Sequence, residues 1–262
     1  MYYVLGGDGF VGSAVCSILA ERGESFVSIG RENYPDYVGT SCDVFVNCDG
    51  NARRFWANEN PTDDFEASVS TTMRSLSDFQ HGLYVFLSSV DVYVDTTDPT
   101  RNAEDSEINY RELDPYGFHK WVSEELVRRY APSWLILRLG NMIGPGLKKN
   151  PVYDALNGQP LWMSAESHHS FIHTRVVAEG LHKLVRERYR NYVVNMCGTG
   201  TVRVADLPDL IGREIVIAPG AEERRQLYWV NNTRMSQIIP VPESRAAVVD
   251  YVSEREQSGG AR

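Results

Sequence analysis

Tyr116 and Lys120 stand four residues apart in Tyr116-Gly117-Phe118-His119-Lys120, directly after Asp114-Pro115. Aspartate followed by proline is a cap and first-turn pair, so the segment opens a helix, and a spacing of four sets both side chains on one face. A phenol ordinarily titrates near pH ~10, too high to trade protons at neutrality. A neighbouring ammonium and the positive end of a helix each favour the phenolate, which makes the pair a candidate proton-transfer group. A surface Tyr–Lys pair at helical spacing is the plainer alternative. Ser88 and Ser89 close the apolar run that leads into Val90-Asp91-Val92-Tyr93, and a strand-end hydroxyl at Ser89 can hold a substrate oxygen beside the phenol. Asp91 is the carboxylate nearest to it in sequence.

A third group does its chemistry with backbone. Gly6-Gly7-Asp8-Gly9-Phe10-Val11-Gly12 sets Gly6, Gly9 and Gly12 three residues apart, between the strand-like Tyr2–Leu5 and a helical pattern marked by Val11, Val15, Ile18 and Leu19. Glycines there let the chain approach a pyrophosphate, and the helix start offers unpaired N–H groups and a positive dipole end. An ordinary strand-to-helix turn has the same look, but the position at the first such junction favours dinucleotide binding.

The elements that must position these groups alternate along the chain. Strands are expected at Ser25–Ile29, Asp43–Cys48, Leu83–Ser88, Trp134–Leu139 and Tyr192–Met196. Helices are expected from Asn60-Pro61, with Phe65, Val69, Met73 and Leu76 on the inner face, from Asp114-Pro115 to Tyr130, and over Thr174–Arg188. Short strands alternating with helices imply parallel pairing, hence an α/β doubly wound (Rossmann) sheet whose ligands lie beyond the strand C-termini. After Gly140 the rhythm breaks at Gly144-Pro145-Gly146. Residues 1–140 and 171–197 are therefore assigned to the nucleotide-binding domain, and 141–170 and 198–262 to a small substrate lobe. The Ser258–Arg262 end should fray.

The chain has 262 residues, 42% of them hydrophobic, which suffices for a full core without disulfides. Its formal charge of −9 does not favour nucleic acid or anionic lipid as a partner. No apolar run approaches a membrane span and the first residues lack a secretion signal, so a cytoplasmic location is expected. Cys16, Cys42, Cys48 and Cys197 show no C-x-x-C spacing and read as small buried hydrophobes; no metal site is expected. At the end of the second strand, where NAD readers carry an acid, the residues are Gly30-Arg31-Glu32. Arg31 can pair bidentately with a 2′-phosphate, which tilts the cofactor toward NADP, although Glu32 can still serve NAD and Arg31 can be a solvated charge.

Taken together, Gly6-x-x-Gly9-x-x-Gly12, Val44-Phe45-Val46-Asn47, Leu87-Ser88-Ser89-Val90-Asp91-Val92-Tyr93, Tyr116-x-x-x-Lys120, Leu137-Arg138-Leu139-Gly140-Asn141 and Phe171-Ile172-His173 resemble the extended short-chain dehydrogenase/reductase family of NAD(P)-dependent sugar-nucleotide epimerases, dehydratases and reductases. The resemblance implies a catalytic triad of Ser89, Tyr116 and Lys120. It further places the backbone of Phe10 and Val11 near a pyrophosphate, Ser89, Asp91 and Asn141 at the substrate, and Lys120 on the nicotinamide ribose. It implies hydride transfer with Tyr116 as proton shuttle, for C4 epimerisation or keto-sugar reduction, and a homodimer formed through the helices that hold Phe65 and Tyr116, with Trp121 either a contact there or a core residue. A dehydratase needs a further acid/base pair, and a silent NADP-binding sensor or scaffold is the alternative from another class. The chain departs from the family pattern in three places. The segment between Arg31 and Asp43 is too short for the usual helix and full strand, Arg175 and Val176 replace the paired acids after His173, and Val94 replaces a glycine after Tyr93. Arg53, Arg54, Lys148 and Lys149 are candidate phosphate contacts or solvated loop charges, and His168 and His169 read as surface histidines.

Overall fold

The computed structural model describes residues 1–259, with side chains through residue 257; the expected fraying of 258–262 falls outside the described side chains. Two compact units divide the chain. The first comprises Met1–Val94, Glu104–Leu139 and Ala178–Asn195. Its sheet is built from β1 (Tyr2–Leu5), β2 (Phe26–Ile29), β3 (Ser41–Asn47), β4 (Gln80–Ser89), β5 (Trp134–Leu139) and the edge strand Tyr192–Met196, in the spatial order β2-β1-β3-β4-β5-edge. Pairing through β1 to β5 is parallel, as the alternating sequence pattern requires. Val4, Phe45, Val46, Tyr84, Val85 and Ile136 are buried, the near-continuous apolar content of strands covered on both faces.

The strand order reverses at β1: the chain goes outward to β2, then returns across β1 to β3. Leu5 lies opposite Asn47 in the register, so Gly6 and Cys48 leave the sheet side by side at the crevice where such folds take ligands. Helix α1 (Phe10–Glu21) follows β1. Between β2 and β3 only a four-residue helix α2 (Tyr34–Tyr37) remains, which confirms the shortening read from the sequence. Aromatic packing covers that flank instead: Tyr3 and Tyr34 meet Phe79 edge-on, and Phe45 stacks on Tyr84.

The segment after β3 departs most from expectation. Helix α3 (Arg54–Glu59) precedes the proline, α4 (Pro61–Phe65) is short, a π-helical turn spans Glu66–Ser70, and α5 (Thr71–Asp78) completes the run. Asn60 holds the cap position, but its side chain donates to the Trp56 carbonyl oxygen at 3.0 Å. Of the expected inner-face residues, Val69 is buried and Leu76 packs half-buried against the core, while Met73 is half-buried and Phe65 exposed. The inner face is polar, with Asp64, Ser68, Thr72 and Ser75 buried. Each polar group has a partner, as burial demands; Ser75 Oγ, for example, lies 2.7 Å from the Tyr84 hydroxyl. Phe65, Val69 and Met73 instead line an outer apolar groove of about 520 Å³ with Val122 and Leu126. Val122 and Leu126 belong to α6 (Pro115–Tyr130), whose bounds agree with the sequence reading.

The second unit comprises Asp95–Ala103, Gly140–Val177 and the chain from Met196 onward. Asn141–Ile143 pairs in parallel with Phe171–His173, and His168–His169 lies between Val202–Arg203 and Leu227–Tyr228. Helices Pro151–Leu156, Leu207–Ile211, Thr233–Ile238 and Ser244–Gly259 complete it.

Candidate active site

The glycine turn forms where β1 ends. Gly6 adopts φ +74°, its N–H donates to the Ile29 carbonyl oxygen at 2.8 Å, and the Gly9 N–H returns to the Gly6 carbonyl oxygen at 2.9 Å. A β-carbon on Gly12 would collide with that same Gly6 oxygen, so only glycine lets α1 start this close to the turn. Gly9 caps α1 without a side chain. The first N–H groups of the helix, at Phe10 and Val11, have no intrahelical acceptor and follow a glycine-rich turn, an arrangement that suits an anionic diphosphate.

Ser89 ends β4 and caps the 3₁₀ turn Val90–Val92. Its Oγ donates to Asp91 Oδ2 at 2.8 Å and accepts from the Asp91 N–H at 3.1 Å. Tyr116 enters from the first turn of α6. Asp114 caps that helix through Gly117 N–H at 2.9 Å, and Asn58 Oδ1 accepts from the Tyr116 N–H at 3.2 Å. A β-carbon on Gly117 would collide with the Asp91 carbonyl oxygen, so the helix start is pressed onto the turn that carries Ser89 and Asp91. The Ser89 hydroxyl acts on the Tyr116 phenol and pulls its value down. Lys120 Nζ lies 6.0 Å from the centre of the Tyr116 ring and 5.5 Å from that of Phe86, and donates to the Leu87 carbonyl oxygen at 3.3 Å. Ser89, Tyr116 and Lys120 are all buried, and they converge at the C-terminal edge of the sheet.

The electrostatics differ from the expectation that Lys120 lowers the phenol. Burial pushes Tyr116 above its ordinary value, and Asp91 and Asp64 push it further, against the Ser89 hydrogen bond and Arg54, which lower it. The net shift is upward even with Lys120 Nζ beside the ring. Burial lowers the ammonium's own value, and the Asp64, Asp49 and Glu124 carboxylates oppose the shift.

Several residues around the triad carried no clear signal in the sequence. Arg54, read as a candidate phosphate contact, instead joins Asp91 at 3.1 Å and Asp114 at 2.6 Å. Asp64 lies fully buried against His119 Nδ1 at 2.6 Å and accepts from Asn51 Nδ2 at 2.8 Å. Glu124 receives Ser88 Oγ at 2.6 Å and both Arg138 Nε and Nη2 at 3.0 and 2.8 Å, and Arg138 Nη1 donates to the Tyr93 hydroxyl at 2.7 Å. The spacing Tyr116, Lys120, Glu124, Val127 marks a single buried helix face and was the signal available for Glu124. Of the remaining predicted residues, Arg31 is exposed on the turn after β2. Asn141 belongs to the second unit, where its Nδ2 lies 3.3 Å from His169 Nδ1. His169 is buried rather than on the surface, stacked on Tyr228, and burial lowers its value to about 4.

This fold and site define a class. Residues 2–197 match the NAD dependent epimerase/dehydratase family, and the chain belongs to that enzyme family, of the extended short-chain dehydrogenase/reductase type. Among solved structures it is similar to a UDP-galactose 4-epimerase, with 21% identity and TM-score 0.78 over 98% of this chain and 99% of that one. MoeE5 in complex with UDP-glucuronic acid and NAD is similar at 18% identity and TM-score 0.79, over 98% and 99% of the two chains. RMD from Pseudomonas aeruginosa complexed with NADPH is similar at 17% identity and TM-score 0.73, over 96% and 99%. No curated protein matches the chain by sequence.

Proposed function

We propose that the chain is a nicotinamide-dinucleotide-dependent enzyme acting on a sugar nucleotide, by C4 epimerisation or keto-sugar reduction, with Ser89, Tyr116 and Lys120 as its catalytic residues. The observation that carries the reading is that a strand-end serine, a buried phenol on which it acts and a buried ammonium meet at the edge of the sheet that also bears a glycine-rich turn. Support for the substrate and cofactor class comes from the solved relatives, which include epimerases and reductases with UDP-sugars, NAD or NADPH.

Gly6, Gly9, Gly12 and the N–H groups of Phe10 and Val11 would hold the diphosphate, and Tyr116 and Lys120 the nicotinamide end. The dinucleotide supplies a hydride acceptor or donor at the carbon that changes oxidation state. Ser89 Oγ holds the substrate oxygen as its charge changes, and the Tyr116 phenol exchanges the proton of that oxygen. Lys120 holds ribose hydroxyls and adds positive charge beside the phenol. Substrate contacts are assigned to Ser89, Asp91 and Asn141, with residues 141–170 and 198–262 as the substrate lobe and 1–140 and 171–197 as the cofactor domain. Elimination is the weaker reading, because the two oxygens of Asp91 already receive Ser89 Oγ and Arg54 Nη1. We place the enzyme in the cytoplasm, where its four free cysteines would stay reduced, and propose that it forms a homodimer through the outer groove of α5 and α6.

The test is a screen of nucleotide sugars with NAD+ and with NADPH, with product analysis, run beside Tyr116→Phe. Loss of about 10²–10⁴-fold in turnover with dinucleotide binding retained is the expected result. An unchanged rate in Tyr116→Phe, or dinucleotide binding without turnover of any substrate, would favour a sensor.

A further inference from the structure

We infer that Asp8, reaching over from the glycine turn, reads the adenosine ribose of the cofactor and selects NAD over NADP. The inference rests on the dinucleotide site proposed above and concerns one of its ends. In sheets of this kind the adenosine ribose is read beside the end of the second strand, by an acid for its hydroxyls or by a cation for a 2′-phosphate. Here that position holds Gly30, which has no side chain to offer.

The carboxylate comes from the neighbouring strand. β1 and β2 run in parallel with Leu5 opposite Ile29, and the Gly6 N–H is anchored on the Ile29 carbonyl oxygen at 2.8 Å, so the turn after β1 lies against the end of β2. Asp8 Oδ1 lies 3.5 Å from Ser28 Oγ, which donates to it. Asp8 Oδ2 stands 3.9 Å from the point where a β-carbon on Gly30 would be. An acid thus occupies the place that a β2 acid would fill, delivered by a different loop.

Nothing in the local backbone consumes this carboxylate. Asn33 Oδ1 accepts from the Gly30 N–H at 2.8 Å, Asn33 Nδ2 donates to the Ser28 carbonyl oxygen at 3.0 Å, and the Tyr34 N–H donates to the Gly30 carbonyl oxygen at 3.0 Å. The strand end is satisfied by its own turn, and Asp8 remains exposed with acceptor capacity to spare. Vicinal ribose hydroxyls are donors and fit such a group. A 2′-phosphate carries negative charge and no donor at neutral pH, so it would meet the carboxylate as a like charge. Arg31, exposed one residue beyond, offers the opposite preference, but an exposed guanidinium is screened and gains little from one ion pair. The balance at this corner is therefore set by Asp8, contrary to what Arg31 alone indicates.

Binding decides the matter without any substrate. NAD+ and NADP+ are titrated by calorimetry into the full-length protein, then into Asp8→Asn, Asp8→Glu and Arg31→Ala, with a thermal melt of each to verify folding. The wild type is expected to bind NAD+ about tenfold to hundredfold more tightly than NADP+. Asp8→Asn should shrink that ratio about tenfold, chiefly by improving NADP+. Asp8→Glu retains the charge and should retain the preference, and Arg31→Ala should leave the ratio within about twofold. A wild type that prefers NADP+, a ratio unmoved in Asp8→Asn, or a ratio governed by Arg31 would overturn the inference and leave the dinucleotide site standing. A wild type that binds neither nucleotide would overturn both.

Discussion

Tyr116 is held in opposing fields. Burial and the carboxylates of Asp91 and Asp64 raise its phenol, and the Ser89 hydrogen bond and Arg54 lower it. Arg54 belongs to this balance because it also fixes Asp114, the cap of the helix that delivers Tyr116. Burial alone would push the Asp114 carboxyl up, but the Gly117 N–H, Asn58 and Arg54 outweigh it and hold the group below its ordinary value. Asp114→Ala should therefore cost about 1–2 kcal/mol of unfolding free energy at pH 7, the usual worth of a cap, read by urea titration. The folded value lies below the unfolded one, so this contribution is complete above an unfolded value of about 4 and is lost as pH falls through the folded value. The gap between wild type and variant should close in acid. A gap that stays constant from neutral pH down into acid would show that the carboxylate is not the stabilising form.

Helices α5 and α6 carry two faces with opposite character. Inward, Asp64, Ser68, Thr72 and Ser75 are buried on one helix run, and Tyr116, Lys120 and Glu124 on the other. Outward, Phe65, Val69, Met73, Val122 and Leu126 line the apolar groove, and Phe65 remains 40% exposed. The groove includes none of the triad, and an exposed apolar lining of this kind is what the proposed self-association would cover. Phe65→Glu should lower the mass in sedimentation from dimer to monomer, because a charge at the centre of an apolar contact is left without a partner. A monomeric wild type, or a variant that stays dimeric, would rule out self-association through this face.

For the molecule as a whole, a ligand that binds only the folded state adds to its stability. NAD+ at a hundredfold excess over its dissociation constant should contribute about 2.7 kcal/mol, visible as a rise of a few degrees in melting temperature, and Asp8→Asn should show a smaller rise at the same concentration. The absence of any rise with either dinucleotide would count against the proposed cofactor site. What the sequence determined by itself is local. Asp114-Pro115 located the start of α6, Trp134–Leu139 marked a strand, and the glycine spacing marked the turn, because capping, a short apolar run and the lack of a β-carbon act within a few residues. Tertiary structure alone decided which face of residues 61–78 turns inward. Apolar spacing there indicates an amphipathic helix, but buried Asp64 and Ser75 are stabilised by His119 and Tyr84, partners in other elements. The same holds for Arg54, whose carboxylates Asp91 and Asp114 come from other elements, and for Asp8, which faces Ser28 only because β1 and β2 are neighbours in register. A charge or hydrogen bond between distant segments has its partner chosen by strand order and packing, and no spacing rule along the chain encodes that choice.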